Sequence, residues 1–190
     1  MAMPLFDFLI ERQETIAKSW CRAVLSIWPE DSARFMLEKK DPFQNPMGST
    51  VQTCLPKLLE AVLNDTLDSE ESGKAAGELA NLLAVKDAPP SEVFSFLPAF
   101  RRIFRDNTDE REEDITSETQ REESELQARL DRLTLLFFDR YMACRERLYS
   151  IRAEEAKRSV YLLKRMHPLP EDEQVRDEED KDSRRDVPRS

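Results

Sequence analysis

The chain has 190 residues, 39% hydrophobic and 36% charged, with three glycines and a net charge of −10. That length suits one domain with appendages, and so little glycine disfavours strands joined by tight turns and favours an all-α fold. The acid excess tells against general nucleic-acid affinity, which needs a basic footprint.

The start, "MAMPLFDFLIERQE", lacks the basic opening and long apolar core of a signal peptide. Residues 4–27 carry Leu5, Leu9, Ile16, Trp20, Val24 and Ile27 at helical spacing. Pro29 ends or restarts that helix. "EDSARFMLEK" then reads as a short helix, with acids in its first turn and lysines at its end, matching the dipole. The stretch "DPFQNPMGST" (41–50) follows and places Phe43 and Met47 among Asn45, Pro46 and Gly48. Three uses are open for it: a plug over the core, the lining of a pocket, or a partner surface. A glycine there suits a backbone angle that other residues resist. Ser49 and Gln52 form a capping box for the next helix, whose face is Val51, Leu55, Leu58, Val62 and Leu63. Pro56 falls inside that helix and is expected to kink it.

Residues 70–85 predict a smaller helix with Ala76, Leu79, Leu82 and Leu83 on one side. After Pro89 and Pro90, Ser91 is a candidate cap. Val93, Phe96, Leu97, Phe100, Ile103 and Phe104 make a dense apolar stripe. Residues 1–105 therefore read as the helical body. Residues 106–125 hold ten acids and two bases and read as an acidic linker, either loop or solvated helix. Residues 126–166 contain no Pro or Gly and predict a long C-terminal helix. From Glu123 it would span about 65 Å, against about 30–35 Å for a domain of this size. Part of it must project or meet a second chain. Its stripe is Leu126, Leu130, Leu133, Phe137, Tyr141, Cys144, Leu148 and Ile151, in the steps of three and four that a packed seam requires. Residues 167–190 are charged and read as a disordered tail.

The chemistry is sparse. His167 is the only histidine, at the edge of the tail, which excludes a Ser–His or Cys–His pair within the body and a haem on a proximal histidine. Cys21, Cys54 and Cys144 are odd in number and widely spaced. They read as reduced thiols of a cytoplasmic protein, buried as small hydrophobes. No glycine-rich loop cradles a phosphate. Asp131, Asp139 and Glu146 border the long stripe beside Arg132, Arg140 and Arg145, where salt bridging accounts for them. No segment pairs acids in an apolar setting for catalysis. The longest apolar run, "LTLLFF", is far short of a membrane span. No enzyme activity, metal, cofactor, nucleic-acid binding or membrane insertion is expected.

Four segments carry a resemblance: "SWCRAVLSIWP", "DPFQNPMGSTVQTCLPKLLEAVL", "VKDAPPSEVFSFLPAFRRIFR" and "LTLLFFDRYMACRERLYSIRAEEAKR". The chain resembles the N-terminal sensor domain of RsbR-type proteins, the RsbT co-antagonists of the bacterial stressosome, over about residues 5–165. The most specific parts are Phe43, Asn45, Pro46 and Gly48, and then Asp139, Tyr141, Met142, Cys144, Arg145, Glu146 and Tyr149. The resemblance implies a globin-like helical bundle without haem. It implies a homodimer in which the terminal helix takes part, and a role in stress signalling without catalysis. In such relatives the last helix leads into a STAS domain. The roughly 25 residues after the helix here are too few for one of about a hundred, so the sensing or docking half is expected to work alone.

The expected dimer seam is Phe137, Tyr141, Cys144, Leu148 and Ile151. The expected plug or pocket is Phe43, Asn45, Pro46, Met47, Gly48, Phe96 and Phe100. The leading expectation is a cytoplasmic signalling or adaptor domain, a homodimer with an unidentified protein partner. The alternatives are a sensor for an apolar small molecule and an accessory subunit of a larger complex.

Overall fold

The computed structural model describes residues 3–39, 41–86, 88–108 and 117–166. The expected tail, His167 and the centre of the expected linker (109–116) lie outside them. Among the described residues there are eight helices and no strand. They are α1 (Leu5–Glu11), α2 (Gln13–Leu25), α3 (Glu30–Glu38), α4 (Pro46–Leu63), α5 (Glu70–Val85), α6 (Pro90–Val93), α7 (Phe96–Thr108) and α8 (Ser117–Met166). The chain divides into two compact units, Met1–Glu146 and Arg147–Ser190.

Within the first unit, α4 packs on α5, and α2 packs on both α4 and α7. The centre is aromatic. Trp20 of α2 stacks on Phe100 of α7 with ring centroids 3.6 Å apart and planes within 7°. Phe96 meets Phe137 of α8 edge-on at 4.9 Å. Phe94 sets its ring edge-on against both Phe137 and Tyr141, at 5.3 and 5.2 Å. Such geometry lets a ring's positive edge meet its neighbour's negative face, beyond the gain from burial alone. Leu126, Leu130, Leu133, Phe137 and Tyr141 of α8 are all buried.

Several boundaries differ from the sequence expectation. The expected first helix is two helices. The chain turns at Arg12, where i→i−3 bonds join Arg12 to Leu9 and Thr15 to Arg12. Pro29 caps α3 and Glu30 and Asp31 sit in its first turn, but Lys39 lies just past its end in extended backbone. Ser91 caps nothing: it lies inside α6, which starts after Pro89. Residues 106–108 and 117–125, for which both loop and solvated helix were open, are helical. Their acids have structural tasks. Glu122 Oε2 accepts the backbone N–H of Leu5 at 3.0 Å, capping α1 from α8, and Glu125 pairs with Arg129 one turn on.

α8 is unbroken over fifty residues, with no Pro or Gly to interrupt it. In the second unit the described part is its stretch 147–166, in which every described side chain except half-buried Leu148 is exposed.

Candidate functional site

The loop at 41–50 is organised by one side chain. Asn45 caps α4: its Oδ1 accepts the N–H of Gly48 at 2.9 Å. Its Nδ2 donates to the carbonyls of Met36 and Lys39 at 2.9 and 2.6 Å. Gln52 Nε2 also donates to Met36, at 2.6 Å. The amide thus joins the end of α3 to the start of α4, and it is only 2% exposed. Pro46 stands at the first helical position, where its missing N–H costs nothing. Helix α4 therefore starts before Ser49, and the Ser49–Gln52 capping box does not form. Gly48 has no positive φ, so backbone freedom is not its role. A Cβ there would collide with the Asn45 amide and the Met36 carbonyl. Glycine is what lets helix and cap approach.

Phe43 does not plug the core. It is 98% exposed, because Asp41 Oδ1 holds its N–H at 2.9 Å in a short turn directed away from the body. Met47 is also exposed, and with Phe35, Met36, Asn45 and Pro46 it lines a surface depression of about 480 Å³. Phe96 and Phe100 belong to the buried aromatic centre, so the seven residues expected to act together lie in two separate places. A larger groove of about 780 Å³ runs between α2, α3 and α4. Ala17, Cys21, Leu37, Pro56 and Leu59 line it, with Glu14, Lys18, Arg22, Arg34, Glu38 and Glu60 also bordering it. Pro56 donates no N–H to the carbonyl of Gln52, another lining residue.

The expected dimer seam is also split. Phe137 and Tyr141 are each 1% exposed inside the body's own core and cannot meet a second chain. Cys144 is half-buried, with its Sγ 2.8 Å from Asn81 Oδ1 of α5. Leu148 is half-buried and Ile151 exposed. Sequence reasoning missed a second stripe on α8. Leu135, Phe138 and Met142 are exposed in the first unit, and Tyr149, Val160 and Leu163 in the second. A signal was present: Leu135, Met142, Tyr149, Ala156 and Leu163 recur every seven residues.

Arg129 was missed as well. It is a buried arginine whose Nη1 donates to the carbonyls of Val62 and Leu63, at 3.0 and 2.6 Å. These are among the carbonyls that the end of α4 leaves without helical donors. There the chain reverses through Asp65, at φ 57, with Thr66 N–H bonded back to Ala61 O at 2.9 Å. The guanidinium lies 4.1 Å from the Phe6 ring centroid, and Asp65 pairs with neighbouring Arg132. Arg145 Nη1 donates to Ala84 near the end of α5 at 3.4 Å. The geometry ties α8 to the C-terminal ends of two helices.

Burial pushes the Cys21 thiol up to about 11. Burial, then the hydrogen bond and charge of Glu78, push Cys54 up to about 12. Neither is an activated nucleophile, which would need a lowered value. Among the described residues no cluster could hold a metal ion, and no helix is long and apolar enough to cross a membrane.

No curated protein and no solved structure matches the chain. The family model described as the RsbT co-antagonist protein rsbRD N-terminal domain matches residues 14–156, taking in the Asn45 cap, the aromatic centre and most of α8, and the chain belongs to that family.

Proposed function

We propose that this chain is a non-enzymatic signalling adaptor of the cytoplasm, and that it pairs with a second copy through residues 148–162 of α8. The family supplies the signalling role. The observation that carries the pairing is the face Leu148, Ile151 and Leu162, on which Ile151 and Leu162 are exposed. Glu155 and Arg158 complete its steps of three and four. In a parallel pair Glu155 would meet Glu155 and Arg158 would meet Arg158. In an antiparallel pair each Glu155 meets Arg158 of the other copy, and Ile151 meets Leu162. Opposite charges in register favour the antiparallel arrangement.

Sedimentation of the full chain tests this. The expected species is a dimer that Ile151→Asp converts to monomer. Glu155→Arg and Arg158→Glu should each weaken it, and the double exchange should restore it. A monomer at tens of micromolar, or a dimer indifferent to Ile151→Asp, refutes the reading.

The groove between α2, α3 and α4 supports a second reading, a sensor for a small amphipathic molecule. Its volume of about 780 Å³ and its apolar lining with charged neighbours have the character of a ligand site. A thermal-shift screen in which no compound stabilises the wild type more than a Leu59→Arg variant would remove it.

A further inference from the structure

Residues 147–166 have an apolar stripe apart from the pairing face. Tyr149, Ala153, Ala156, Val160 and Leu163 follow one another in steps of four and three, and Val160 and Leu163 are 52% and 60% exposed. Two alanines at its centre allow another helix to come close. Ala156, Lys157, Val160 and Tyr161 line a depression of about 400 Å³ on it, able to seat an incoming side chain.

The charges beside the stripe say what fits. Arg152 flanks Ala153 on one side and Lys157 flanks Ala156 on the other. Glu154 and Glu155 point away from the stripe at helical spacing. The whole stretch holds six bases and two acids, a net +4. A second copy laid along this stripe sets Arg152 against Lys157 in a parallel pair. In an antiparallel pair centred on Ala156 it brings Lys157 against the same lysine of the other copy, while Arg152 faces Ser159. Like charges facing each other suppress self-pairing.

We propose that the stripe from Tyr149 to Leu163 docks an amphipathic helix of a partner protein whose apolar seam is bordered by Glu or Asp. This rests on the adaptor reading and names the chemistry of the partner. Apolar burial along the seam supplies affinity, and the acidic borders supply choice of partner and speed of encounter.

The test uses the full-length chain and two synthetic helical peptides with one Leu/Ala seam, flanked by Glu in one and by Lys in the other. The Glu-flanked peptide should bind at least about tenfold more tightly, with affinity falling as salt rises. Ala156→Arg and Val160→Glu should each abolish binding without changing the sedimentation of the chain. Equal affinity for the two peptides, no binding of the Glu-flanked one, or unchanged binding by both variants overturns the proposal. Loss of self-association in Val160→Glu assigns the stripe to a second copy and overturns it too. So does a failure to bind peptide combined with Val160-dependent binding to phosphatidylserine vesicles. Failure of the pairing reading shows separately, in the sedimentation of Ile151→Asp.

Discussion

Replacing Asn45 by Asp separates the two jobs of this side chain. Asp is as good an N-cap as Asn, and it keeps an oxygen for the Gly48 N–H. It has no N–H to give to Met36 and Lys39. Asn45→Ala loses both jobs. The lost cap costs about 1 kcal/mol, and the orphaned Lys39 carbonyl about 1–2 more. Met36 suffers less, because Gln52 still donates to it at 2.6 Å. The expected loss for Ala is about 2–3 kcal/mol, or about 4–12 °C in Tm for a chain of this size. Asn45→Asp should lose at least as much at neutral pH, since it brings a buried carboxylate against two carbonyl oxygens. Its neutral form can donate once, so its folded pKa would rise above the ordinary value of about 3.9. The gap to wild type should therefore narrow as pH falls toward 4 and widen as it rises. Urea unfolding at several pH values measures this. An Asn45→Asp chain within about 0.5 kcal/mol of wild type at pH 7 would refute the reasoning, because capping alone would then account for Asn45.

Gly48→Ala should destabilise although alanine is the better helix former, since its Cβ meets the Asn45 amide and Met36 carbonyl. Gly77→Ala, with nothing within 4 Å of the added carbon, should stabilise by about 0.5–1 kcal/mol in the same urea assay. Arg129→Met should cost about 2–4 kcal/mol by urea unfolding, because the carbonyls of Val62 and Leu63 lose a charged donor. Arg129→Lys should recover little of that, lacking the planar fork. Cys21 and Cys54 hold their protons above the ordinary thiol value of 9.0. Below pH 9 folded and unfolded chains both keep these protons, so nothing is lost. Above it the unfolded chain ionises first and stability falls toward pH 11. Cys21→Ala/Cys54→Ala should flatten that decline in unfolding midpoints measured against pH.

The helices were legible wherever apolar residues recur with helical period, as in α4, α5 and α7. Their ends were less so. Ser49 with Gln52 and Asn45 with Pro46 are both sound N-terminal signals four residues apart. The choice between them was made by the Met36 and Lys39 carbonyls, which converge on Asn45 only after α3 has packed. Arg12 shows no breaker in sequence, and the turn there follows from how α1 and α2 meet the core. The use of Phe43 stayed open between plug, pocket and partner surface because an apolar side chain in a loop does not reveal which way the turn points it. The role of Arg129 lay beyond reach for a related reason: sixty-six residues separate it from the Leu63 carbonyl it satisfies.

The error about α8 has a more general cause. Periodicity shows that a helix has an apolar face, but not what covers it. Phe137, Tyr141, Leu148 and Ile151 form one continuous stripe in sequence, yet the first two are sealed beneath Phe94 and Phe96 while Ile151 lies open. The chemistry changes along the same stripe: aromatic rings give way to Leu148 and Ile151, then to Glu155 and Arg158. Folding of one chain uses the first kind of face, which is mostly apolar. Recognition between chains needs the last kind, because a buried charge must find its opposite to be tolerated. Glu155 and Arg158 thus bear on the orientation of the proposed pair, which the apolar residues beside them leave open. Two Leu substitutions there would add apolar contact, and should yield a dimer that no longer discriminates antiparallel from parallel partners.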